Sequence, residues 1–299
     1  MSAPADSLLD LPLLRHTAGE VEIAYRAAGE GPPLLLLHGH PQNHAMWHKA
    51  WPELVRSRAC VAPDLRGYGD SGKPAASPGH AAHSKRAMAA DAVALMRSLG
   101  HERFDVLAHD RGARVAHRLA LDHPERVGRM MLLDIAPTLD MYEGTTRAFA
   151  QAYFHWFWLI QPAPMPERMI AADGPFYVRS LMGSRPGGLA WFAPEALAEY
   201  ERCAAQPGWA EGVCEDYRAS ATVDLEHDRA DRAAGRRVQC PLRVLWGERG
   251  AVGRNFDVLA LWRAVAREVD GQALPSGHYI AEEAPELLLA QAREFFGLA

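Results

Sequence analysis

Short apolar runs alternate with amphipathic stretches through the first part of the chain. Residues 21–25 alternate as a half-buried strand does, and residues 34–37 are an unbroken leucine run, as a strand covered on both faces requires. Residues 58–63 give another strand, followed by the turn-rich segment 64–72. Residues 84–99 have helical spacing and stop at Gly100. A strand at 104–108, a helix at 111–123 halted by Pro124 and a strand at 129–133 follow. This alternation predicts an α/β protein with a mostly parallel central sheet and right-handed crossovers.

The rhythm breaks after Asp134. Residues 137–238 read as helices separated by proline and glycine, and hold Trp156, Trp158, Trp191 and Trp209. Strand grammar resumes at 242–246, then come a helix over 255–269, a short strand at 271–274 and a last helix from Glu283. The expected organisation is a core in two parts, 1–136 and 239–299, with a helical cap at 137–238. Such a cap would lie over the carboxyl ends of the strands, where open α/β sheets bind their ligands. The chain contains no repeat and no low-complexity linker.

Composition narrows the function. A chain of 299 residues can bury a large core. A net charge of −5 leaves no footprint for nucleic acid, and no basic run suggests a membrane surface. No apolar stretch reaches the roughly 20 residues of a membrane span. Residues 1–14 lack a basic start and an apolar core, so no export is expected. Cys60, Cys203, Cys214 and Cys240 are scattered, and read as buried thiols of a cytoplasmic protein.

The candidate chemistry starts at Asp110. It follows the apolar run 104–108, has Ala108 and Gly112 as small flanks, and leads into a helix. This is the grammar of the strand-to-helix nucleophile elbow, with an acid where a serine is usual. A carboxylate there displaces a leaving group from saturated carbon and leaves an ester on the enzyme. An Asp after a strand also serves as a helix N-cap, so the elbow context carries the reading. His278, in the loop Pro275-Ser-Gly-His-Tyr279, is the candidate base. Asp134, closing the strand at 129–133, is the candidate acid that orients it, with Glu248 a weaker one. Backbone N–H groups of His40 and Arg111 are expected to face a developing oxyanion. Arg111 and Arg114 lie one helical turn apart and suit the carboxylate of a small anionic substrate. The alternative for them is a structural salt bridge to Asp110 or to an acid of the cap. No His/Cys cluster has metal-ligand spacing, and no cofactor or metal is expected.

The segments His38-Gly-His-Pro-Gln42, His109-Asp-Arg-Gly-Ala-Arg114, Leu133-Asp-Ile135, His155-Trp156, Cys214-Glu-Asp-Tyr-Arg218 and Ser276-Gly-His278 resemble the α/β-hydrolase superfamily. Within it they resemble the fluoroacetate (haloacetate) dehalogenase type. The resemblance implies hydrolysis of fluoroacetate or a related short 2-haloacid, with His155, Trp156 and Tyr217 as halide donors, and a homodimer. A further cap tryptophan expected of this type near residues 177–190 is missing, and His40 stands where Phe is common. The first implies a roomier pocket or a more mobile lid, the second alters the same wall, and both bear on substrate size rather than on the reaction. The rival readings are an epoxide hydrolase using Tyr153 and Tyr217 as lid acids, a haloalkane dehalogenase, and a non-catalytic small-ligand receptor.

Overall fold

The computed structural model describes residues 7–185 and 187–298. An eight-stranded sheet runs through the molecule in the order β1-β2-β4-β3-β5-β6-β7-β8. The strands are β1 (Leu14–Ala18), β2 (Val21–Ala28), β3 (Pro33–Leu37), β4 (Ala59–Pro63), β5 (Phe104–His109), β6 (Val127–Leu133), β7 (Leu242–Gly247) and β8 (Val269–Leu274). β2 is antiparallel to both β1 and β4, and every other pairing is parallel. The sheet is therefore mostly parallel, as the alternation implies. Sequence pattern does not reveal β1, a mostly exposed edge strand reading Leu-Arg-His-Thr-Ala.

Helices fill the connections in chain order. α1 (Trp51–Leu54), α2 (Lys85–Ser98) and α3 (Asp110–Asp122) precede β6. Between β6 and β7 lie α4 (Thr138–Glu143), α5 (Arg147–Ala152), α6 (Phe154–Leu159), α7 (Met165–Ala172), α8 (Gly174–Gly183), α9 (Pro194–Ala204), α10 (Trp209–Ala221) and α11 (Val223–Ala233). The last four are α12 (Ala251–Asn255), α13 (Val258–Val265), α14 (Ile280–Glu283) and α15 (Pro285–Phe296). Ser84 starts α2 by accepting from the Ala87 amide. The helix expected over 255–269 is shorter, running only from Val258 to Val265, and a separate short helix, α12, ends at Asn255. The chain is extended at Phe256, Asp257 then caps α13 through the Ala260 amide, and β8 already begins at Val269.

The leucines of β3 are wholly buried, each worth about 2 kcal/mol of transfer free energy. From β3 the chain passes to β4 on one side and later to β5 on the other, so the strand order reverses at the β3–β5 seam. The region beyond the carboxyl ends at such a reversal is the usual ligand position in these sheets. Among the described residues no helix is long and apolar enough to cross a membrane. All four cysteines are buried and unpaired.

Candidate active site

His40 follows β3, Asp110 follows β5, Asp134 follows β6 and His278 follows β8, so the carboxyl ends of parallel strands, with β7 between the last two, bring these residues together. Helices of the 138–233 stretch close over them. α8 reaches down with Tyr177, whose hydroxyl lies 2.8 Å from His40 Nε2, and α9 with Tyr200, which donates to Glu282 at 2.6 Å. α6 supplies His155 and Trp156, and α10 supplies Asp216 and Tyr217.

Asp110 is the first residue of α3 and is held at φ +45°, in the left-handed region that costs a non-glycine residue energy. Its two small neighbours are dictated by contact. A Cβ on Gly39 would meet the Asp110 Cβ at 2.5 Å, and one on Gly112 would meet the His38 carbonyl at 2.4 Å. The His40 amide donates to Asp110 Oδ1 at 3.0 Å. Burial alone would raise the Asp110 carboxyl. His278, His109, Arg114 and Arg111 outweigh that and hold it well below the usual carboxylate range. The helix N-terminus adds to this bias.

His278 Nδ1 lies 2.6 Å from Asp134 Oδ2, while Asp134 Oδ1 accepts from the Gly247 amide at 3.0 Å. Asp134 also has a positive φ of +50°. The carboxylate is thus pinned at both oxygens and fixes the ring from its Nδ1 side. Glu248, the weaker candidate, is exposed, its amide bound to the Leu274 carbonyl. Two more groups join the pair: His109, given no role from sequence, and Tyr153, named there only as a lid acid of the epoxide reading. His109 Nε2 lies 2.9 Å from the His278 carbonyl, and the Tyr153 hydroxyl lies 3.4 Å from His278 Nδ1. Burial pushes His109 down to about 4, so it is neutral at physiological pH.

The two arginines differ. Arg111 gives Nε and Nη2 to Asp216 at 2.8 and 2.9 Å, and Nη2 also to Ser220 Oγ at 2.5 Å. Its guanidinium lies 4.0 Å from the Tyr217 ring centre, and its Nη1 is buried without a partner. The salt bridge to an acid of the 137–238 stretch is therefore formed, and Nη1 is the part of the side chain left without a partner. Asp216 is held in turn by Tyr68 at 2.7 Å and by Lys85. Arg114 has no carboxylate within ion-pair distance among the described residues. It donates to the Ala136 carbonyl and Thr138, stacks over Trp156 at 4.6 Å, and keeps an unpartnered, buried Nε. Its ordinary pKa is lowered, by burial first.

Three further donors are buried and unpartnered: His155 Nδ1, Trp156 Nε1 and the Tyr217 hydroxyl. Burial and then the Arg185 charge hold His155 far below its normal value, so its ring is neutral. Their ring centres lie within 6.5 Å of Tyr217. Buried polar groups without partners are costly, so such a cluster marks a place built to receive a polar ligand. The 177–190 stretch, which lacks the expected tryptophan, contributes Tyr177 against His40 and Arg185 against Tyr153 at 5.0 Å. Trp209 stacks on His40 with ring centres 6.1 Å apart. The pocket wall is thus occupied by other large side chains; Pro186 lies outside the described residues. Elsewhere, Asp70, Glu199 and Cys203 could together reach a metal ion, but Arg202 binds both carboxylates, at 2.5 and 2.7 Å.

An acid at the strand-to-helix turn after β5, a histidine after the last strand and a helical stretch beside both fit an α/β hydrolase, and the chain belongs to that family: the profile of the alpha/beta hydrolase fold matches residues 32–285. It is 45% identical to the fluoroacetate dehalogenase of a Burkholderia species over 93% of this chain and 91% of that one. It is 32% identical to the soluble epoxide hydrolase of Corynebacterium sp. (strain C12), over 91% and 92% of the two chains. The crystal structure of a putative alpha/beta hydrolase from Nostoc sp. PCC 7120 superposes with a TM-score of 0.94 at 51% identity, covering 98% of this chain and all of that one. A mutant of a putative epoxide hydrolase from Pseudomonas aeruginosa with bound MFA gives a TM-score of 0.91 at 41% identity, covering 97% of each chain.

Proposed function

We propose that the protein is a hydrolytic dehalogenase of short 2-haloalkanoates, with fluoroacetate the leading substrate and residues 137–238 acting as a cap on the core. The observation that carries the reading is Arg114, a buried cation without a carboxylate partner beside the candidate nucleophile. A buried charge is expensive unless matched. A substrate carboxylate matches it, received by Arg114 Nε and Arg111 Nη1.

The His40 amide occupies Oδ1 of Asp110, which leaves Oδ2 to attack the halogen-bearing carbon. A carbon–oxygen bond forms as the carbon–halogen pair departs with the halide. His155, Trp156 and Tyr217 donate to the leaving ion. Fluoride needs several such donors, because its charge gathers on one small atom. His278, oriented by Asp134, then takes a proton from water as the water attacks the ester carbonyl, while the His40 and Arg111 amides hold the oxyanion. Collapse of that intermediate frees the 2-hydroxy acid and restores the Asp110 carboxylate. The scheme calls on no cofactor.

The epoxide hydrolase reading has its own support, in the relative from Corynebacterium and in Tyr153 and Tyr217 at the site. A neutral epoxide leaves Arg114 with no charge opposite it except the nearby Asp110 carboxylate and gives its buried Nε no charged acceptor, which favours the haloacid. Fluoride release from fluoroacetate, measured beside hydrolysis of styrene oxide, separates the two. Fluoride release with no diol supports the dehalogenase, and diol without fluoride refutes it. Binding of haloacids without turnover would point instead to a small-ligand receptor.

A further inference from the structure

Arg185 has no role in the scheme above, and its surroundings are unusual for an arginine. Among the described residues no carboxylate lies within ion-pair distance of it. Its Nη1 donates to the Ala152 carbonyl at 3.0 Å, its guanidinium lies 5.0 Å from the Tyr153 ring centre, and its Nε is buried without a partner. The residue as a whole is only half-buried. Tyr153 links it to the halide side, since the His155 ring centre lies 5.4 Å from that of Tyr153. The Arg185 charge is second only to burial in keeping His155 neutral.

The charges of the site give this arginine a task. Arg111 is matched by Asp216, so the cations left without a carboxylate are Arg114 and Arg185. A substrate carboxylate accounts for Arg114. When Asp110 becomes an ester, its negative charge passes to the halide with the electron pair of the broken bond. The donors waiting there, His155, Trp156 and Tyr217, are all neutral and carry no balancing charge.

We propose that Arg185 is a halide-binding residue: its guanidinium balances the charge of the leaving ion beside His155 and receives the ion on its way to solvent. The assignment rests on the dehalogenase reading for its catalytic consequence, but not for the binding itself. A guanidinium gives a strong, charge-assisted hydrogen bond to an anion where a neutral donor gives a weaker one. Its help is greatest for fluoride, the most concentrated charge, and smallest for bromide.

The test pairs Arg185→Gln with Arg185→Lys. Loss of one charge-assisted hydrogen bond predicts a fall of about tenfold in turnover of fluoroacetate for R185Q. The same variant should lose no more than about threefold on bromoacetate, with KM nearly unchanged on both and R185K recovering part of the loss. Sodium bromide titrated at constant ionic strength, followed by intrinsic tryptophan fluorescence, should bind R185Q more weakly than wild type. An equal loss on both substrates, or unchanged bromide affinity, overturns the assignment. The titration needs no turnover. A chain that binds bromide through Arg185 yet releases no halide from haloacids would refute the dehalogenase reading and leave the binding residue standing.

Discussion

Arg111 and Asp216 form a fully buried bidentate pair, Nε to Oδ2 at 2.8 Å and Nη2 to Oδ1 at 2.9 Å, joining helix α3, which begins at Asp110, to helix α10. One contact therefore does two things. It locks the helical stretch to the core beside the site, and it turns Arg111 so that only Nη1 stays available. The neighbouring Arg114 is held by neutral groups alone.

These two arginines should respond differently to mutation. Removing one partner of a buried pair costs about 3–5 kcal/mol, so Asp216→Asn should lower the melting temperature markedly as well as raise KM. Arg114→Met removes a buried cation that no carboxylate offsets. It should melt no lower than wild type while KM for haloacids rises about tenfold to a hundredfold, the size of a lost hydrogen bond to a charged group. Thermal melts and steady-state kinetics on both variants check this. A large stability loss in Arg114→Met would show that its role is structural.

Trp156 offers a cleaner probe of the leaving group. Its Nε1 has no partner in the protein, so Trp156→Phe deletes a donor while keeping most of the ring that packs on Arg114. Fluoroacetate turnover should fall by about tenfold, as expected for one hydrogen bond that strengthens in the transition state, with bromoacetate much less affected. Halide-specific electrode measurements on the two substrates give the ratio directly.

Glu282 makes stability depend on pH. It is buried, accepts from Tyr200 at 2.6 Å, and faces Lys49 at 3.4 Å and His48 at 3.7 Å. Burial, followed by the weaker opposing pulls of Tyr200 and Lys49, pushes its carboxyl up to about 7. A raised carboxyl pKa means the folded chain holds this proton more tightly than the unfolded chain. Its stabilising contribution is complete below about 4.5 and is lost as pH climbs through about 7. The total change is on the order of 1–3 kcal/mol. Glu282→Gln should flatten the melting-temperature profile across that window and melt higher than wild type at pH 8. Parallel profiles for the two proteins would contradict the assignment.

The fold class was legible because a buried leucine strand, a strand-to-helix elbow and periodic helices each follow local rules of pattern. The candidate site was legible for a related reason: Asp110, Asp134 and His278 each stand just past a strand, and strand ends converge in a parallel sheet. What escaped depends on partners far apart in sequence. A salt bridge from the arginines to an acid of the 137–238 stretch was among the expected alternatives, but which acid was not: Asp216 meets Arg111 from 105 residues away. Arg185 sits in a stretch notable on sequence grounds only for a missing tryptophan, and its nearness to Tyr153 exists only once the helices pack. Edge strand β1 was hidden by its polar residues. The break at Phe256 and Asp257 was hidden by a run whose apolar residues have helical spacing on both sides.

The central claim is that Asp110 bonds to the substrate's carbon before water does. Replacing His278 with Asn blocks the second step and leaves the first intact. The variant, incubated with fluoroacetate and weighed intact, should gain the mass of one carboxymethyl group, which peptide mapping places on Asp110, with one fluoride released per chain. Unchanged mass alongside continued fluoride release would contradict the account.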